Sequence, residues 1–125
     1  MKMALDNAAG ANVVTAYEPG QVKVRERIFE ASLIIRPGSL HTDWRVTDAA
    51  SLSSNDLAAL LDDPPEVVLL GTGEKQVFPE PAVFALLMDL GVGFEVMDNA
   101  AACRTYNILL AEDRRVALAL ILGRS

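Results

Sequence analysis

Gly71-Thr72-Gly73, Asp98-Asn99 and Arg104-Thr105-Tyr106-Asn107 are the segments of this 125-residue chain whose residue types could do chemistry. A threonine between glycines at the carboxyl end of a strand offers backbone N–H groups and a hydroxyl. Ligands in open α/β sheets bind outside those strand ends. Glu74-Lys75 follow and invite a phosphate-loop reading. The spacing excludes it, since neither the Walker-type nor the dinucleotide-binding arrangement of glycines is present. The next predicted helix also begins several residues later, near Pro81. Two readings of the turn stay open: a strand exit that needs positive φ, or part of a binding surface.

Asp98-Asn99 closes the next predicted strand. It reads either as a helix N-cap, worth about 1 kcal/mol, or with Met97 as the second wall of a cleft beside Gly71-Thr72-Gly73. Neighbouring strands lie about 4.8 Å apart, so the two loops should be neighbours. On the helix that follows, Arg104 and Asn107 are three apart and share a face. That pair could hold an anion or a partner's carboxylate, or be a solvated surface. Tyr106 falls on the core face, where its hydroxyl should find a hydrogen bond.

Nucleophilic and metal chemistry lack their parts. Cys103 is the single cysteine and His41 the single histidine, and they belong to different layers. A reactive thiol needs an activating field, and Cys103 lies beyond the first turn of its helix. It reads as a structural thiol. His41 and Asp43 supply two potential ligands on one strand without a third. Trp44 beside them is either core or an exposed anchor.

The elements that must position these residues follow from turn and period signals. Gln21 to Arg25 alternates polar and apolar, as a half-buried strand does. Glu18-Pro19-Gly20-Gln21 and Arg36-Pro37-Gly38-Ser39 both carry the type II turn pattern. Arg27 to Ile35 reads as strand with a break near Glu30-Ala31, and Leu40 to Val46 as another. The first half is therefore predicted to be a small antiparallel layer. Ser53, Ser54 and Asn55 offer N-caps, with Asp56 three residues after Ser53, for a helix with Leu57, Leu60 and Leu61 on one face. Asp62-Asp63-Pro64-Pro65 ends it.

The second half reads as a β-α-β-α-β unit: Val67 to Leu70, a helix from Pro81 to Gly91 or Gly93, Phe94 to Met97, a helix to about Ala111, and Arg115 to Leu122. Short connections imply parallel strands with right-handed crossovers, with the last strand open to either direction. Being apolar on both sides, that strand is expected at the sheet's centre.

The chain is one domain, expected over residues 13–125 behind a flexible arm over residues 1–12. It is 51% hydrophobic and 22% charged, too apolar for a disordered chain. Eleven basic against 17 acidic residues give a net charge of −6. That argues against nucleic acid, whose binding rests on neutralising phosphates, and against anionic membrane surfaces. The N-terminal residues lack the basic-then-apolar pattern of a secretory signal. The longest apolar run, Val116 to Leu122, is far too short to span a bilayer. A cytoplasmic protein without membrane insertion is expected, with no metal and no cofactor.

Leu69-Leu70-Gly71-Thr72-Gly73, Gly93-Phe94-Glu95-Val96-Met97-Asp98, Ala101-Ala102-Cys103-Arg104-Thr105-Tyr106-Asn107 and Glu112 to Val116 occur in this order. Together they resemble the mitochondrial complex I assembly factor 3 family and its bacterial and archaeal relatives. The resemblance runs from about Tyr17 to the C-terminus. It implies an α/β fold of three layers: a central mixed, mostly parallel sheet, helices on one side and a small antiparallel β-layer on the other, with the last strand antiparallel. It further implies a non-catalytic interaction or assembly protein, not an enzyme, with a protein partner and a role in biogenesis of a respiratory or other membrane complex. The alternative is a small-ligand binder using the cleft at the ends of the parallel strands. In either case the surface is expected at Gly71, Thr72, Gly73, Met97, Asp98, Asn99, Arg104 and Asn107.

Overall fold

The computed structural model describes residues 10–123. Three strands, β1 (Val14–Glu18), β2 (Gln21–Val24) and β3 (Arg27–Phe29), form an antiparallel layer. The five-stranded main sheet is built from β4 (Leu33–Arg36), β5 (Ser39–His41), β6 (Val67–Gly71), β7 (Gly93–Met97) and β8 (Val116–Leu120) in the order β5-β4-β8-β6-β7. The helices are α1 (Ala58–Leu61), which extends a 3-10 turn over Ser54–Leu57, α2 (Pro81–Asp89) and α3 (Asn99–Ala111).

Hydrophobic period and turn chemistry explain most of these elements. β8 is buried along its whole length and sits at the centre of the sheet. A strand covered on both faces has no use for polar alternation. The chain breaks between Phe29 and Leu33, as its sequence suggests, but the break carries it from the small layer into the main sheet. β4 and β5 thus belong to the main sheet, and the strand expected over Leu40 to Val46 ends at His41. Ser53 and Asp56 form the expected capping box, with the Ser53 N–H 2.8 Å from the Asp56 carboxylate. Trp44 is core, and its indole N–H donates to the Asp56 carbonyl at 2.6 Å.

Two expectations need correction. β8 runs parallel to β6 and antiparallel to β4, rather than antiparallel throughout. The reason is α3: at about 1.5 Å per residue its 13 residues return the chain from the carboxyl end of β7 to the end where β6 begins. The two-residue turn between β4 and β5 is not type II. Gly20 has φ of +80°, as type II needs, but Gly38 lies outside the left-handed region. The two turn types differ by a flip of the central peptide, and here the Asn12 N–H holds the Pro37 carbonyl at 3.0 Å.

The sheet separates two cores. Val68, Leu70, Val96, Ala117 and Ala119 face α1, α2 and Trp44. Leu69, Leu118 and Leu120 face the other way, toward Val14, Tyr17, Val22 and Val24 of the small layer and Ala102, Cys103 and Tyr106 of α3. The β-layer therefore lies opposite α1 and α2 as expected, but it shares its side with α3. Residues 1–9 of the expected arm lie outside the described residues. Asn12 is held by its side-chain amide to the Arg36 carbonyl at 3.0 Å, and its own carbonyl accepts the Tyr106 hydroxyl at 2.7 Å.

Candidate functional site

β6 and β7 pair in parallel with Gly71 opposite Met97, and β6 and β8 with Gly71 opposite Leu120. Three carboxyl ends therefore converge, and the two predicted loops meet there. The Thr72 N–H donates to the Met97 carbonyl at 3.0 Å, and the Asn99 N–H to the Gly73 carbonyl at 2.8 Å.

Asn99, 1% exposed, is the hub. Its Oδ1 accepts the Gly73 N–H at 2.9 Å. Its Nδ2 donates to the Ile121 carbonyl at 2.9 Å and to the Tyr17 hydroxyl at 3.1 Å. The Tyr17 hydroxyl in turn donates to the Glu74 carboxylate at 2.5 Å. Burial, and then the Glu74 carboxylate, push the Tyr17 phenol well above its usual range. One amide thereby ties β1, the end of β8 and the loop after β6 to the start of α3.

The glycines make this possible for different reasons. A Cβ at Gly71 would lie 2.5 Å from Asn99 Oδ1 and 2.7 Å from Leu120 Cδ1. Gly71 is therefore required by space, and Gly73, with φ of +109°, by backbone conformation. Thr72 Oγ1 donates to the Lys75 carbonyl at 2.6 Å and accepts the Val77 N–H at 3.0 Å, rounding the loop back on itself. A hydroxyl whose proton is already committed to a carbonyl is not poised as a nucleophile.

A cleft of about 690 Å³ opens beside this network. Of the residues singled out in the sequence, Thr72, Gly73 and Asn99 line it. Gly71 is buried beneath, Met97 packs against the core, and Asp98 caps α3 by accepting the Ala101 N–H at 2.9 Å. Asn107 is elsewhere: its amide bonds both the N–H and the carbonyl of Val14, at 3.0 and 2.8 Å, clamping β1 to α3. Arg104 is exposed farther along α3 and does not line the cleft. Glu74 and Lys75, set aside with the phosphate-loop reading, line it too, and Tyr17, Glu30 and Asp48 are lining residues that sequence reasoning missed. Tyr17 carried one usable signal, being the last apolar residue before the Glu18-Pro19-Gly20-Gln21 turn.

Cys103 is fully buried, and burial pushes its thiol up to about 12. His41 is exposed on the short edge strand β5. Among the described residues no group of three or more His, Cys, Asp or Glu could hold a metal ion. None of the described helices is long and apolar enough to cross a membrane.

The chain matches a family model, "Protein of unknown function (DUF498/DUF598)", over residues 14–121. It belongs to that family. A solution structure of a Xanthomonas campestris protein superimposes with a TM-score of 0.83 at 41% identity, covering 97% of this chain and 93% of that one. The Danio rerio protein named NADH dehydrogenase (ubiquinone) 1 alpha subcomplex assembly factor 3 is 31% identical over 117 residues, 91% of this chain and 66% of its own length. A Francisella tularensis protein named "13 kDa major membrane protein" is 34% identical over 77 residues, 62% of this chain and 63% of its own length. The chain thus spans just under two thirds of these two curated relatives.

Proposed function

We propose that this chain is a non-catalytic interaction protein that assists the biogenesis of a respiratory or other membrane complex, working from the cytoplasm. The observation that carries the reading is the apolar surface on and beside α2. Phe78, Met88 and Leu90 are 61%, 75% and 47% exposed, and Phe78 runs through Phe84 to Phe94 at ring-centroid separations of 6.4 and 4.9 Å. Scattered apolar residues are ordinary on a protein surface, but contiguous ones mark interaction sites. The polar groups here are already committed, Asn99 and Tyr17 to each other and the Thr72 hydroxyl to its own loop, which favours scaffolding over catalysis, and the likeness to an assembly factor agrees.

Affinity purification from the native host tests this. The unaltered chain is expected to bring down a stoichiometric partner that the Phe78→Ser/Met88→Ser variant loses. Recovery of the same proteins with both would count against it.

The cleft of about 690 Å³ favours a second reading, a small ligand seated against Thr72, Gly73 and Asn99. A thermal-shift panel of nucleotides, phosphates and carboxylates checks it. A ligand at a hundred times its Kd should stabilise the chain by about 2.7 kcal/mol, and a flat panel would remove this reading.

A further inference from the structure

The apolar surface has a charge character that constrains what can cover it. From Gln76 to Cys103 the chain contains no lysine, arginine or histidine, but four acids: Glu80, Asp89, Glu95 and Asp98. Asp98 is used as the cap of α3. Glu80, Asp89 and Glu95 are exposed and pair with no cation among the described residues. Glu80 and Asp89 stand at the two ends of α2, bracketing Phe84 and Met88, which share a helix face four residues apart. Asp89 lies in the last turn, where the helix dipole favours a cation. A carboxylate there works against the helix, so its placement asks for another reason.

β7 adds a second feature. It is the outermost strand of its sheet, paired with β6 alone, and Phe94 on it closes the aromatic run. The Gln76 side chain donates to the Val96 carbonyl at 2.9 Å, covering one end of that edge. Glu95 lies on the strand's other face, away from α2.

We propose that the α2–β7 face docks a basic segment of another protein, with apolar side chains seated on Phe78, Phe84 and Met88 and Lys or Arg groups meeting Glu80 and Asp89. This rests on the interaction reading above and names the partner's chemistry. A second copy presenting the same face would set acid against acid. The basic cluster of Arg36, Arg114 and Arg115 is already engaged, since Arg36 and Arg115 bind Asp63 and Arg114 binds Glu66. An anionic lipid surface is repelled by the same carboxylates.

The test uses the full chain and two fluorescent twelve-residue peptides with identical Leu and Phe positions, one with Lys and the other with Glu between them. Anisotropy titration should give at least tenfold tighter binding of the Lys peptide. Glu80→Lys/Asp89→Lys should abolish that preference, and Phe78→Ser/Met88→Ser should weaken the Lys peptide at least tenfold. Glu18→Lys/Glu112→Lys, exposed acids elsewhere, should keep the preference. Equal binding of the two peptides, or equal loss in both charge-reversed variants, overturns the proposal. If the partner purified through Phe78 and Met88 is insensitive to Glu80→Lys/Asp89→Lys, this inference falls while the interaction reading survives. Failure of the unaltered chain to bring down any partner removes both.

Discussion

Tyr17 and Asn99, 82 residues apart in sequence, meet in a buried hydrogen bond of 3.1 Å between the phenol oxygen and the side-chain amide. The contact joins the small antiparallel layer to the point where three main-sheet strands end. Because Asn99 Oδ1 and Nδ2 also bind Gly73 and Ile121, the surroundings of the cleft are set by one side chain.

Asn99→Ala should cost about 2 kcal/mol, because it leaves the buried Ile121 carbonyl and the half-buried Gly73 N–H without their partner. Urea denaturation with an unchanged slope is the measurement. A loss below about 0.5 kcal/mol, the scale of an ordinary surface change, would mean that the network does not hold the strand ends together.

Gly71→Ala is expected to destabilise by about 1–3 kcal/mol, the usual range for overpacking, since its Cβ would displace Asn99 and Leu120. Gly38→Ala should be nearly neutral, because nothing lies within 4 Å of its Cβ and its φ is ordinary. Thermal unfolding of the two variants side by side gives the ranking, and the reverse order would contradict the packing described.

Stability should fall on the alkaline side. The Cys103 thiol is raised to about 12 by burial, against about 8.5 in an unfolded chain. Between those values the folded state binds more protons than the unfolded one, so stability is intact below about pH 8.5 and declines as pH rises toward 12. Burial raises the Tyr17 and Tyr106 phenols as well, steepening the decline above about pH 10. Melting temperature against pH reads this out, with Cys103→Ala removing the first part. In native protein at pH 8 the thiol should resist alkylation until denaturant is added.

Asn107→Ala should loosen β1 selectively. Its amide replaces a neighbouring strand by binding both backbone groups of Val14. Hydrogen exchange at Val14 should rise at least tenfold while β8 amides stay protected. Unchanged exchange would show that β1 is held by β2 alone.

The parallel unit was legible because its elements are bounded by strong punctuation: Pro64-Pro65 before β6, Pro81 at the start of α2, Gly91 after it with φ of +72°. β8 announced its central place by being apolar on both faces. The first half was harder. A strand's period says which face is buried, not which sheet it joins, so β4 read as part of the small layer. The candidate site was half legible. The glycine turn and Asp98-Asn99 do meet, as parallel neighbours must. Asn99 could not be told from an ordinary cap, because Gly73, Ile121 and Tyr17 reach it from three distant segments. Arg104 and Asn107 shared a helical spacing, but spacing alone could not say that β1 would occupy Asn107.

The most direct test of the interaction role is photo-crosslinking in the native host, with benzoylphenylalanine placed at Met88 in one chain and at His41, on the far edge of the sheet, in another. A single adduct of defined mass from Met88 and none from His41 is expected. Absence of any adduct from Met88, or the same adducts from both positions, would contradict a partner docked on the α2–β7 face.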